Sequence, residues 1–129
     1  MNIERLTILA EFLQTVPVGR FDLASWRLDA DGGLLVSNEE LTRSECGAVA
    51  CAIGWACVMP EFTSQGLEWG EVSPVFGEAR NWTAVMAFFE ITTRQAHYLF
   101  SELDYRPRAT PEMVSDRIFG LIQSNGVMP

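Results

Sequence analysis

The 129-residue chain predicts a mainly α-helical fold: a compact single domain, residues 1–129, of about five helices around a buried Ala/Gly/Cys-rich central helix, with room for one small β-hairpin. Three observations carry this. The run Cys46-Gly47-Ala48-Val49-Ala50-Cys51-Ala52-Ile53-Gly54-Trp55-Ala56-Cys57 holds no charge and is apolar on every side, so a helix made from it must be enclosed. Apolar residues recur at helical spacing near both ends of the chain. The length and a 48% apolar content suit one domain with a real core, and there is no low-complexity tract or internal repeat.

The first helix is predicted from Asn2, as cap, through Leu6, Leu9, Leu13 and Val16, with Pro17 ending it. Residues 18–41 are irregular, and Asp31-Gly32-Gly33 is a turn between short apolar runs, which suggests the hairpin. Ser44 is then the expected N-cap of the central helix, with Glu45 in its first turn and the helix continuing to Met59. About 20 apolar residues are needed to cross a membrane, and this run is closed by Glu45 and by Pro60-Glu61, so it is a core helix. Ala48, Ala52 and Ala56 share one face, and Gly47, Ala50 and Gly54 another, where a neighbouring element can approach closely.

The longest irregular stretch, 63–80, reads as a loop. It holds Gly66, Gly70, Pro74 and Gly77, with the apolar Leu67, Trp69, Val72 and Phe76 able to fold back on the core. Residues 81–91 form a helix with Trp82, Val85, Met86 and Phe89 on one side. Thr92 caps the next with Gln95 reaching back, and Ala96, Leu99 and Phe100 line its apolar face. A last helix starts at Thr110-Pro111, runs through Val114, Ile118, Leu121 and Ile122, and stops at Asn125-Gly126.

The chemistry-bearing residues are few. Three cysteines in a helical register point different ways or lie roughly 16 Å apart, too far to share a zinc or a disulfide, so they read as buried thiols in a reducing cytoplasm. Cys46, at the expected helix start, is the one thiol placed to be reactive. His97 is the sole histidine and has no nucleophile paired with it; carboxylates are scattered, and Gly32-Gly33 lacks the lysine of a phosphate-binding loop. No catalytic residue, cofactor or metal site is nominated, and no enzyme is expected.

Charge points to a partner instead. All nine basic residues are arginine, against seventeen acids, for a net charge of −8. Residues 1–91 carry thirteen of the acids and five of the arginines, which disfavours a phosphate backbone and suits a basic protein, although plain solubility accounts for the same charge. Trp69 among Glu68, Glu71 and Glu78 is the candidate partner-binding loop. The alternative is a DNA-binding regulator through the helix-turn-helix-like pair at 81–103, with Arg94, Gln95 and His97 on the second helix. Glu90 stands there at a turn where a small residue is usual. A small-ligand binder is the third reading.

The central run followed by Met59-Pro60, with Ala87-Phe88-Phe89-Glu90-Ile91, Gln95-Ala96 and Leu99-Phe100, resembles an uncharacterised family of small bacterial and phage proteins built around a Cys-Gly-x-x-Ala-Cys-x-x-Gly-x-Ala helix. The resemblance implies a phage or prophage setting, in which small acidic proteins act by binding and inhibiting a host protein. It names no target and no oligomeric state.

Overall fold

Helix α1 (Ile3–Leu13) begins where Asn2 Oδ1 accepts from the Arg5 N–H at 3.0 Å, and it buries Leu6, Leu9, Ala10 and Leu13. The structure, a computed structural model, describes residues 1–43 and 47–129. The C-terminal helix, Pro111–Gln123, lies along α1. Its buried Ser115 donates to the Ala10 carbonyl at 2.7 Å and accepts from Gln14 Nε2 at 3.2 Å, so the contact satisfies the one hydroxyl it encloses. Thr110 caps that helix through the Met113 N–H, as its sequence signal requires.

The helices at Asn81–Phe89 and Thr93–Phe100 also form where periodicity places them, and Thr92 and Gln95 complete a reciprocal capping box. Between them Glu90 itself takes the left-handed conformation (φ 55°) that a glycine would have supplied, so the turn is tight without one. Edge-to-face contacts among Phe62, Phe76, Phe88 and Phe89, with centroids 5.0–5.7 Å apart, join these helices to the rest of the core.

The central helix is shorter than the sequence suggests. Val49–Ala50 is a strand, β2, paired antiparallel with β1 (Arg27–Leu28) in the register Arg27 to Ala50 and Leu28 to Val49. Cys51 caps the helix that follows, its sulfur accepting from the Gly54 N–H at 3.4 Å, and the helix covers only Ala52–Ala56. The expected cap Ser44, with Glu45 and Cys46, lies outside the described residues. An unbroken apolar run has no period, so buried strand and buried helix look alike in it. The close approach expected at the small residues is present, and the neighbour is the backbone just before β1: a side chain at Gly54 would overlap the Trp26 carbonyl oxygen.

The turn at 29–33 forms, with Asp29 Oδ1 accepting from the N–H groups of Asp31 and Gly33 at 2.8 and 2.7 Å. No hairpin follows, because β1 finds its partner in β2; the chain instead enters a short helix, Asn38–Thr42, capped by Ser37. The 63–80 stretch is likewise not a loop throughout. A helical turn at Pro60–Thr63 leads into an antiparallel meander of β3 (Leu67–Trp69), β4 (Pro74–Phe76) and β5 (Ala79–Arg80). Among the described residues there are thus seven helices, numbered α1 to α7 in chain order, and two small antiparallel sheets: a helix-rich fold, but not an all-α one.

Candidate functional site

Arg27 on β1 is 1% exposed, and its guanidinium is held by carbonyls: Nε and Nη2 donate to Gly54 O at 3.2 and 2.9 Å, and Nη1 to Val36 O at 3.0 Å. Nη2 also donates to Asn38 Oδ1 at 2.8 Å, and the group lies 4.0 Å over the Trp69 ring. A desolvated cation on an indole face gains about 2 kcal/mol, and each charged hydrogen bond adds to that. Burial lowers the Arg27 pKa to about 10, which leaves it protonated at neutral pH, and no carboxylate among the described residues pairs with it. One side chain thereby straps β1, the 34–38 segment, α3 and β3 together.

What the strap positions is a ridge. Leu34 and Leu35 are 59% and 70% exposed, and Val72, in the β3–β4 turn, is 50% exposed. On one side of the ridge Leu34 and Val72 form the mouth of a cleft of about 330 Å³ walled by Trp26, Trp82 and Phe100. The Trp26 and Trp82 rings stand 5.3 Å apart, and the His97 ring packs edge-on to Trp82 at 4.7 Å. On the other side Leu35 and Glu71 border a wider groove of about 710 Å³, floored by Trp69 and lined by Glu39 and Glu40. A cleft without a described carboxylate, an apolar ridge and an acidic groove therefore lie side by side, and exposed apolar surface with a polar rim is the composition of an interaction face.

The residues expected to form a partner-binding loop are separated by the sheet. Trp69 and Glu71 stand on the groove. Glu68 alternates with the inward Leu67 and Trp69 and so faces the opposite side, and Glu78 sits in the β4–β5 turn at the other end of the meander. The indole N–H of Trp69 is buried without a hydrogen-bond acceptor among the described residues.

On α6, Gln95 is already engaged, its side chain bonded to the Thr92 N–H and the Gly126 carbonyl, and His97 is packed on Trp82; Arg94 stands in solvent. The thiols of Cys51 and Cys57, at the two ends of α3, are free and buried. Burial pushes them up to about 11 and about 12, so both are neutral and unreactive at neutral pH. Among the described residues no three His, Cys, Asp or Glu are grouped to hold a metal ion, and no helix is long and apolar enough to cross a membrane. Cys46 lies outside the described residues.

Sequence reasoning missed Arg27, the Leu34-Leu35 pair and the Glu39-Glu40 rim. The signal for the leucines was weak: two apolar residues after a Gly-Gly turn, with no period to bury them. No protein-family model, curated protein or solved structure matches this chain.

Proposed function

We propose that the chain is a non-catalytic protein-binding module that docks a basic surface of a host protein and inhibits it. The observation that carries this reading is the Leu34, Leu35 and Val72 ridge, exposed beside a groove whose charges among the described residues, Glu39, Glu40 and Glu71, are all negative. Apolar contact supplies the affinity, and the acids select and steer a basic partner. The net charge of −8 acts in the same direction over longer range. The resemblance to small phage proteins is the reason for placing the partner in a bacterial host.

Affinity capture from bacterial lysate after nuclease treatment tests this, comparing the wild-type chain with Leu34→Asp/Leu35→Asp. Both leucines are exposed, so the double variant keeps its stability to within about 0.5 kcal/mol. It loses about 2 kcal/mol of binding, roughly thirtyfold in affinity, if the ridge is central to the interface. Equal capture by the two proteins, or recovery of nucleic acid in place of protein, contradicts the proposal.

A further inference from the structure

The docking face just described has two unlike halves, and the difference between them specifies what a partner must present. We propose that the cleft lined by the packed pair Trp26 and Trp82 is the anchor pocket of that face. It takes one aromatic side chain of the partner, while a Lys or Arg a few residues away along the same segment sits in the Glu39, Glu40 and Glu71 groove. This inference rests on the protein-binding reading and adds the chemistry of the recognised segment to it.

Size is the first argument. About 330 Å³ is at the low end for ligand cavities, enough for a single ring system and little else. The wall chemistry is the second: the two indoles pack on each other at 5.3 Å and, with Leu23, Leu34 and Phe100, leave their outward ring surfaces to a third aromatic group. Charge is the third. In a chain with seventeen acids no carboxylate among the described residues lines this cleft, and the one charged residue among them that does is Arg27, 1% exposed and directed at Gly54, Val36, Asn38 and Trp69. That guanidinium spends its donors on protein groups and offers an occupant no ion pair, and the other described lining residues carry no charge, so the lining suits an uncharged occupant.

Position is the fourth argument. Leu34 and Val72 form the mouth of the cleft, and their chain neighbours Leu35 and Glu71 border the acidic groove. A segment that crosses the ridge therefore meets the aromatic pocket on one side and the carboxylates on the other. A buried aromatic anchor surrounded by steering charges is the usual energetic layout of a protein interface.

The test uses the wild-type chain and two short capped peptides, Trp-Gly-Arg-Arg and its reverse, followed through the amide and indole N–H resonances in nuclear magnetic resonance titrations. The expected result is that one of the two peptides shifts the indole signals of Trp26 and Trp82 together with the amides of Leu35 and Glu71. Replacing the peptide's Trp by Ala, or its two Arg by Glu, then weakens binding by about tenfold or more. Movement of the groove signals alone, unaffected by the Trp replacement, overturns the anchor pocket and leaves the docking face standing. Absence of any shift at millimolar peptide overturns the pocket as well, and the capture experiment with Leu34→Asp/Leu35→Asp then judges the docking face by itself.

Discussion

Glu71 shows how a single residue can trade stability for a surface. It occupies the first central position of the two-residue turn between β3 and β4, with φ at 77°, while Gly70 N–H bonds to Ser73 O at 2.9 Å across the turn. That position ordinarily takes glycine, because a side chain in the left-handed region costs of order 1 kcal/mol. The strain places a carboxylate on the rim of the groove. Glu71→Gly is therefore expected to gain about 0.5–1 kcal/mol, a rise of a few degrees in Tm. It is expected at the same time to weaken partner binding. Thermal melting and affinity measured on the same preparation check this, and a variant stabilised with unchanged affinity would show that the carboxylate takes no part in recognition. Glu90 holds the same kind of conformation at φ 55°, with its carboxylate accepting from Asn2 Nδ2 at 2.8 Å. A missing glycine in the sequence does not imply a loose turn.

At the level of elements, what could be read from the sequence was what carries period and punctuation. Helices α1, α5, α6 and α7 are long enough to show a 3.6-residue pattern, and Asn2, Thr92 and Thr110 cap three of them at the positions expected. The central run resisted reading because every residue in it is apolar, and only the distant Arg27–Leu28 strand determines that Val49–Ala50 is extended. The meander looks like loop in the sequence because its strands are two or three residues long, shorter than the alternation needed to recognise them. For the candidate site, Trp69 and Glu71 were legible as an aromatic beside an acid. The Arg27 strap was not, since its partners at 36, 38 and 54 are brought to it by folding alone. Nor was the separation of Glu68 and Glu78 from the groove, which follows from strand alternation and from the second turn of the sheet.

For the whole molecule, the buried thiols and the surface charge make separate predictions. Burial raises the pKa of Cys51 from 9.0 to about 11 and that of Cys57 to about 12, so the unfolded chain releases these protons first as pH rises. Their contribution to stability is complete below about pH 9 and is lost as pH climbs toward the folded values, at roughly 1.4 kcal/mol per pH unit for each thiol. Arg27, lowered to about 10, acts with the opposite sign, so the fall is clearest between about pH 9 and 10. Urea unfolding is expected to show it, with a shallower slope in Cys57→Ala; a slope unchanged in that variant would contradict the assignment. The surface account stands on the ridge and the groove beside it. Its most direct test is photo-crosslinking in bacterial lysate, with a benzophenone side chain in place of Leu35 and, separately, in place of Glu78 at the far end of the meander. A covalent adduct with a basic protein is expected from position 35, reduced at about 1 M salt, where charges are screened within about 3 Å, and none from position 78. Adducts of equal yield from both positions, or none from position 35, would contradict it.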